Sequence, residues 1–243
     1  MTTGINCDMG ESYGIYTLGN DEDIMSHITA ANVACGFHAG DPTVMSATIE
    51  AAKRHGVAVG AHPSLPDRQG FGRREMTLAP DELGSLLTYQ VGALRGFLET
   101  SDMELNHVKV HGALYGMTAR NADLSDVVCQ VAKNFGVSVY GMAGTMHERC
   151  AQEAGVPFVS EFYADLDYAA DGSLIISRSH GAVDTLIAAN RVRRAIREGL
   201  AESVDGPDVS VRADTVCIHS DTPNAADLAS AVARAVADES KNR

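Results

Sequence analysis

Residues 31–42 read ANVACGFHAGDP, a stretch in which a strand-like run passes through a loop into a helix. The apolar residues around Val33 are typical of a buried strand. Asp41 and Pro42 then offer an N-cap and a first-turn proline to the helix that follows. The loop between them places His38 among glycines, which let the backbone and a bound molecule approach closely. The stretch therefore predicts one strand–loop–helix unit with titratable groups where the strand ends.

The rest of the chain repeats this alternation. Apolar residues recur with helical spacing in five segments, at 42–55, 80–98, 124–135, 184–200 and 225–237. Strand-like runs lie at 5–8, 28–35, 57–61, 108–110, 137–141, 156–160 and 215–218. Such alternation predicts a parallel sheet covered by helices. Seven strand–helix units favour an incomplete (β/α) barrel, and an open doubly wound sheet is the alternative.

The domain organisation follows from the same pattern. Neither a linker nor an internal repeat interrupts the alternation, and 243 residues are enough to bury a full core. We therefore expect residues 1–243 to form a single domain. Residues 238–243 are expected to be a frayed tail.

The composition excludes several classes of partner. A net charge of −13 argues against nucleic acids and anionic membranes, because both are bound by basic surfaces. No run approaches the roughly 18 apolar residues that span a bilayer, and the N-terminus does not resemble a secretory signal. Five scattered cysteines without a C-x-x-C pair predict neither a disulfide framework nor a structural zinc site. These features predict a protein of the cytoplasm.

Titratable side chains gather where six of the seven predicted strands end. In either architecture, these ends lie on one face of the sheet, whereas structural histidines should scatter over both ends. Taken singly, each residue has a simpler explanation, since Asp41 can serve only as a helix cap and His38 only as a core histidine. Their convergence predicts an active site. The catalytic candidates are Asp8, Glu11, His38, Asp41, His62, His111 and Glu161, and the binding candidates are Asn6, Lys109, Asp165 and His219.

The loop after the third strand, PDRQGFGRRE at 66–75, carries Arg68, Arg73 and Arg74 among glycines. It could be a solvated surface loop. Alternatively, it is a mobile flap whose guanidinium groups bind a carboxylate or phosphate of the substrate through paired hydrogen bonds. Such a flap would supply the local positive charge that an acidic protein needs to bind an anion. Lys109 could also help to neutralise a developing oxyanion.

Missing motifs narrow the chemistry further. The chain has no G-x-x-x-x-G-K-[ST] loop, no G-x-G-x-x-G after its first strand and no G-x-S-x-G elbow. A self-sufficient ATPase, a common dinucleotide enzyme and a serine hydrolase are therefore disfavoured. Acid–base or metal-assisted hydrolysis by carboxylates and imidazoles remains. Asp8, His62 and His111 could hold a divalent metal, and a metal-free proton network of the same residues is the alternative.

Six segments together resemble the LamB/YcsF family over nearly the whole chain. They read NCDMGES (6–12), SHITAANVACGFHAGDP (26–42), GVAVGAHPSLPDRQGFGRR (56–74), KVHGALY (109–115), SEFYADLDYAADGSL (160–174) and VCIHSD (216–221). The resemblance implies a distorted seven-stranded (β/α) barrel of the sugar-deacetylase type. It also implies ATP-dependent opening of 5-oxoproline to L-glutamate, together with partner subunits B and C.

The resemblance also suggests roles for individual residues. The partners would use ATP to phosphorylate the lactam oxygen, which accounts for the missing phosphate-binding loop in this chain. Asp8 or Glu161 would then act as general base, while His62 and His111 would hold water and move protons. Lys109 and an arginine of the 68–74 loop would bind phosphate or carboxylate.

Several positions depart from the family's usual motifs. Val110 stands where members usually have proline, Ser220 where they have glycine, and Leu166 where they have arginine. A lost arginine could change how an anionic substrate is recognised, and Arg178 could take its place. The expected substrate is therefore 5-oxoproline or a related small lactam.

Two other classes of function remain open at this stage. One is a stand-alone metal-dependent amidohydrolase or deacetylase that needs neither ATP nor partners. The other is a non-catalytic binding or assembly protein within a larger complex, against which the titratable strand ends argue. The sequence leaves the oligomeric state open, including a homo-oligomer.

Overall fold

A computed structural model describes residues 2–175 and 181–241, and a closed barrel of seven parallel strands forms its centre. In chain order, the strands are β1 (Gly4–Met9), β2 (Ala30–Ala34), β3 (Ala58–His62), β4 (Leu105–Val108), β5 (Ser138–Gly141), β6 (Phe158–Tyr163), β7 (Asp167–Tyr168), β8 (Leu174–Ile175), β9 (Leu200–Ala201), β10 (Val209–Ser210) and β11 (Thr215–His219). Around the barrel the order is β1, β11, β6, β5, β4, β3, β2, and β1 pairs with both β2 and β11. This closure confirms the barrel and excludes the open sheet. The short strands β7–β8 and β9–β10 form two antiparallel pairs.

Helices connect the barrel strands. They are α1 (Asp21–Met25), α2 (Pro42–His55), α3 (Pro80–Thr100), α4 (Gly112–Arg120), α5 (Ala122–Phe135), α6 (Met146–Ala154), α7 (Thr185–Glu198) and α8 (Ala225–Lys241). The sequence predicts α2, α3, α5, α7 and α8 but not the short helices α1, α4 and α6. Within the described part of the chain, no helix has the length and apolar content needed to cross a membrane.

Helix α2 shows how local sequence sets the boundaries of an element. The Oδ1 atom of Asp41 accepts hydrogen bonds from the backbone N–H groups of Thr43 and Val44 at 2.8 and 3.0 Å. Pro42 occupies the first turn, and Gly56 ends the helix with a left-handed φ of 67°. These contacts satisfy backbone groups that would otherwise lack partners at the two helix ends.

The strand alternation places polar side chains inside the barrel. Asn32 donates to Asn6 Oδ1 at 2.8 Å, and His107 Nε2 lies 2.7 Å from Asn32 Oδ1. A Cβ atom at Gly60 would lie 2.2 Å from His107 Nε2, so only glycine leaves room for this imidazole. The barrel centre is therefore a packed, hydrogen-bonded layer rather than a channel.

The C-terminal helix is longer than the sequence suggests. We expect a frayed tail from residue 238, but α8 continues to Lys241. Glu239 is buried and pairs with Arg197, whose Nε lies 2.6 Å from its Oε2. This ion pair and the packing of α8 against α7 hold the last turns of the helix in place.

Candidate active site

Lys109 lies at the centre of the site, directly after β4. Its ammonium Nζ lies 2.8 Å from Asp8 Oδ1, 3.3 Å from Glu161 Oε1 and 3.0 Å from Cys217 Sγ. The side chain is 2% exposed. Burial alone would lower the pKa of Lys109, but Asp8, Cys217 and Glu161 outweigh it and hold that pKa well above its ordinary value. The lysine therefore stays charged and fixes two carboxylates.

Asp8 connects Lys109 to the imidazoles. Its Oδ1 also accepts a hydrogen bond from Asn32 at 2.8 Å, and its Oδ2 lies 3.2 Å from His62 Nε2. Burial would raise the pKa of Asp8, but His62 and Lys109 hold it well below its ordinary value. Asp8 is accordingly a fixed anion and a weak base.

Three histidines and one glutamate converge beside Asp8, and we call them the histidine–glutamate cluster (Glu11, His38, His62 and His111). All four side chains are buried. Burial lowers the pKa values of His38 and His111, so these imidazoles are neutral. Burial and the nearby Asp8 raise the pKa of Glu11 well above its ordinary value. Glu11, His38 and His111 thus present neutral donors and acceptors in a buried space.

The arginine-bearing loop lies across the cluster. The Phe71 carbonyl accepts a hydrogen bond from His111 Nε2 at 2.8 Å, and the Gly72 carbonyl accepts one from the backbone N–H of Ala113 at 2.9 Å. A Cβ atom at Gly72, whose φ is 65°, would come within 2.8 Å of the His111 ring. The loop is therefore seated on the imidazoles by its own backbone.

On the opposite side, two tyrosines hold Glu161. Its Oε2 accepts hydrogen bonds from Tyr115 at 3.1 Å and from Tyr163 at 3.3 Å. Burial and the neighbouring Glu161 raise the pKa of each tyrosine well above its ordinary value, so both hydroxyls keep their protons. Both tyrosines contact Oε2, while the ammonium group of Lys109 lies 3.3 Å from Oε1.

An aspartate–histidine pair completes the rim. Asp165 Oδ2 accepts a hydrogen bond from the backbone N–H of His219 at 2.8 Å, and the same oxygen lies 3.0 Å from His219 Nδ1. Burial would lower the pKa of His219, but Asp165 outweighs it and raises that pKa. Because Asp165 binds Nδ1, it turns Nε2 toward Asp8, whose Oδ2 lies 3.6 Å away.

A pocket opens above these groups and combines charged and apolar walls. Its polar lining consists of Asp8, His62, Arg73, Lys109, His111, Tyr115, Tyr163 and His219. Its apolar lining consists of Val110, Leu166 and Leu174. Val110 and Leu166, where the resemblance leads us to expect proline and arginine, thus line the pocket. A small, partly apolar molecule with an anionic group would match these walls.

The structure brings most of the predicted site residues together but not all. Asn6 lies below Lys109 inside the barrel, at 3.4 Å from Nζ. Asp41 caps α2 and also accepts a hydrogen bond from Gly14, so its carboxylate serves local structure. Arg178 lies outside the described residues.

The three arginines of the 66–75 loop have different environments. Arg73 lines the pocket, and its Nη2 lies 2.8 Å from Asp221 Oδ2. Arg68 binds the backbone carbonyls of the His38 loop and stacks on Tyr13. Arg74 pairs with Asp67 within the same loop. Of these three arginines, Arg73 lines the pocket.

Sequence reasoning missed several residues of the site, and a periodicity argument could have found most of them. Tyr163 is two residues after Glu161 on β6, and Cys217 is two residues before His219 on β11, so each pair shares a strand face. Tyr115 is four residues after His111, which puts both on one side of α4.

Comparison with known proteins finds a matching family, similar sequences and a similar solved structure. The sequence model of the LamB/YcsF family matches residues 3–242. A protein of Bacillus licheniformis, named as the A subunit of 5-oxoprolinase, is 44% identical over 234 residues, which cover 95% of this chain and 92% of that protein. The crystal structure of a lactam utilization protein from Thermus thermophilus is 41% identical with a TM-score of 0.90, over 99% of this chain and 98% of that one.

A more distant solved structure is similar in fold alone. The family 4 carbohydrate esterase from Streptomyces lividans is 10% identical, with a TM-score of 0.50 over 98% of this chain and 91% of that one. This similarity agrees with the expected sugar-deacetylase type of barrel.

Proposed function

Because this chain belongs to the LamB/YcsF family, we propose that it is the component of an ATP-dependent 5-oxoprolinase that opens 5-oxo-L-proline to L-glutamate. The names of its relatives, the A subunit of 5-oxoprolinase and a lactam utilization protein, support this substrate class. The observation that carries the proposal is the pocket itself. It sets a buried lysine, the carboxylate of Asp8 paired with it, and three imidazoles beside apolar walls at the strand ends of a closed barrel.

ATP would enter the reaction through partner subunits. A lactam is a resonance-stabilised amide, and this chain contains no phosphate-binding loop of the P-loop type. We assign phosphorylation of the lactam oxygen to subunits B and C, which would remove the amide resonance and prepare the ring for attack by water. The reaction is assigned to the cytoplasm, where ATP is available.

The pocket walls suggest how the ring is held. Val110, Leu166 and Leu174 would pack against the ring methylenes, as apolar surfaces do in small-molecule sites. Arg73 faces the same space and would bind the substrate carboxylate or the transferred phosphate. Lys109 would stabilise negative charge that develops on the oxygen of the attacked carbon.

Proton transfer is assigned to the Asp165–His219 pair. Water adds to the ring carbon and gives a proton to His219, whose ring Asp165 orients. The carbon–nitrogen bond then breaks as the added hydroxyl becomes a carbonyl, and the ring nitrogen takes up that proton as it becomes the amine of the product. The acyl phosphate that remains is hydrolysed by a second water molecule, which releases phosphate and L-glutamate. Asp8 and Glu161 are the sequence-based candidates for the general base. Lys109 contacts both carboxylates, and His62 and Lys109 together hold the pKa of Asp8 low, so we assign Asp8 and Glu161 the positioning of that lysine.

The test is a glutamate-release assay on 5-oxoproline with ATP. It compares the chain alone, the chain with subunits B and C from the same source, and the same mixture with Asp8→Ala. We expect release of glutamate only from the mixture that contains all the subunits. Asp8→Ala should abolish this release, because Lys109 then loses its nearest anion. Glu153→Gln, which breaks an exposed ion pair with Arg149, is the matched control and should keep full turnover. Absence of glutamate with all subunits folded would contradict the proposal and direct the screen to related lactams.

One observation favours a second candidate, a metal-dependent amidohydrolase or deacetylase that acts alone. The histidine–glutamate cluster provides imidazole and carboxylate donors suited to a divalent metal. This candidate predicts turnover by the isolated chain without ATP, which the chain-alone arm measures when it is repeated in the absence of ATP.

A further inference from the structure

The side-chain donors of the histidine–glutamate cluster converge on one point. Glu11 Oε1 lies 3.1 Å from His38 Nε2 and 3.6 Å from His111 Nδ1, while His111 Nδ1 lies 2.9 Å from His62 Nε2. One donor atom from each of the four residues lies within 4.8 Å of the other three. In a tetrahedral zinc site with bonds of 2.0–2.1 Å, neighbouring donors are about 3.4 Å apart. Three of the six spacings between these donors, at 2.9, 3.1 and 3.6 Å, bracket that value.

The outer nitrogens fix how two of the rings are protonated. His62 Nδ1 lies 2.7 Å from the Lys109 carbonyl, and His111 Nε2 lies 2.8 Å from the Phe71 carbonyl. A carbonyl oxygen only accepts, so each of these nitrogens carries a hydrogen. When both rings are neutral, the inner nitrogens, His62 Nε2 and His111 Nδ1, present lone pairs to each other at 2.9 Å, and His62 Nε2 also faces Asp8 Oδ2 at 3.2 Å. Two facing lone pairs repel unless a proton or a metal cation lies between them.

Two further contacts favour a metal cation over a proton. Metal-bound histidines commonly donate their outer N–H to a backbone carbonyl or a carboxylate, as His62 and His111 do here. His38 Nδ1 is buried without a hydrogen-bond partner among residues 2–175 and 181–241, so the contact of Nε2 with Glu11 and the packing of the ring hold this side chain. The ring stacks on His111 with centroids 3.8 Å apart and an angle of 6° between the planes. Its Nε2 thereby faces the same point as the other donors.

We propose that Glu11, His38, His62 and His111 bind one divalent transition-metal ion, with zinc the best match to their chemistry. Three imidazoles and one carboxylate suit zinc and its first-row neighbours, whereas magnesium and calcium prefer oxygen ligands. The bound ion would act as a Lewis acid or lower the pKa of a water molecule. Binding of the ion does not depend on the proposed function. A catalytic role for the ion does rest on that function, through His62 and His111, which also line the pocket.

A second group of donors nearby is a weaker candidate. Asp8, Cys217 and His219 also lie close together. Lys109 Nζ, however, lies 2.8 Å from Asp8 Oδ1 and 3.0 Å from Cys217 Sγ, so an ammonium group already occupies the place of a cation. Burial also raises the pKa of the Cys217 thiol, which disfavours the thiolate form that binds metals.

The test measures metal binding to the full chain without substrate, ATP or partners. After removal of metals with a chelator, the chain is titrated with Zn²⁺ by calorimetry, and the zinc-loaded protein is studied by X-ray absorption. We expect one ion per chain, with nitrogen and oxygen neighbours and no sulfur. Glu11→Gln and His38→Ala should each weaken binding by at least tenfold, whereas His55→Ala, which removes an exposed histidine, should not.

The outcomes separate this proposal from the assigned activity. Circular dichroism of each variant confirms that it is folded, and the near-isosteric Glu11→Gln keeps the test valid if His38→Ala does not fold. Binding that is absent, contains sulfur or is unchanged in both variants would overturn the metal site. A proton shared by His62 and Asp8 would then account for the short contacts. Glutamate release is scored separately in the subunit mixture, so either proposal can fail without the other.

Discussion

Replacing Lys109 by methionine should strongly destabilise the fold at neutral pH. The substitution keeps the length of the side chain but removes the charge that Asp8 and Glu161 contact at 2.8 and 3.3 Å. With an effective dielectric constant near 20, each contact represents a gross attraction of about 5–6 kcal/mol. Much of that is offset by the cost of burying the ammonium group. Removing one partner of a buried ion pair typically costs about 3–5 kcal/mol, which is our expected loss in the free energy of unfolding.

The loss should depend on pH in a defined direction. In the native protein, the pKa of Asp8 is below its unfolded value, so its stabilising contribution is present above that unfolded value, near 3.9, and is lost as the pH falls through the folded pKa. Without Lys109, burial should raise the pKa of Asp8 instead, and the buried carboxylate then destabilises the fold at neutral pH. Protonation of Asp8 removes this destabilisation. The difference in the free energy of unfolding between the variant and the native chain should therefore shrink between pH 7 and pH 4.

Urea unfolding at pH 7 and at pH 4, followed by circular dichroism, measures both effects. Lys109→Met combined with Asp8→Asn and Glu161→Gln should recover much of the lost stability, since no buried anion then lacks its partner. Arg149→Met, which breaks an exposed pair with Glu153, is the control and should barely change the unfolding midpoint. A single Lys109→Met variant as stable as the native chain at pH 7 would refute the buried ion-pair network.

Two further substitutions and one control test the rim and the barrel centre. Asp165→Asn removes the anion that raises the pKa of His219, so the acid limb of the kcat/KM profile for glutamate release should move to lower pH. An unshifted limb would mean that His219 does not carry the proton. Gly60→Ala places a methyl group 2.2 Å from the His107 ring and should destabilise by at least about 1–3 kcal/mol. Gly84→Ala in α3, with its nearest neighbour at 3.6 Å, should stabilise by up to about 1 kcal/mol, and thermal melts of both alanine variants measure these changes. Equal behaviour of the two alanine variants would contradict the packing described for the barrel centre.

The barrel could be predicted because its signals are local. Pro42 and Gly56 mark the two ends of α2, and similar apolar spacing marks the longer helices. The short helices α4 and α6 escaped prediction because their nine residues bury few large apolar groups, so their spacing carries little signal. The end of α8 was not predicted for another reason. Its last turns are held by the ion pair of Arg197 with Glu239, 42 positions apart, which no local pattern reveals.

The sequence predicts which residues belong to the site but not which of them contact one another. Strand ends place Asp8, His62 and Lys109 on one face, and the structure joins them. The sequence could not tell which arginine of the 66–75 loop enters the pocket, because backbone contacts decide how the loop folds. Nor could it show that Glu11 and His38, rather than Asp8, complete a set of converging donors around His62 and His111.

Closure of the barrel between β1 and β11 has a consequence for synthesis of the chain. Asp8 and His219 lie on neighbouring strands yet are separated by most of the sequence. At ribosomal rates of 5–20 residues per second, β1 waits about 10–40 s for its last neighbour to emerge. Until then β1 and β6 present unpaired edges, which attract other strands and promote aggregation. A nascent chain that stops before residue 215 would therefore be a target for chaperones and could not assemble a working pocket.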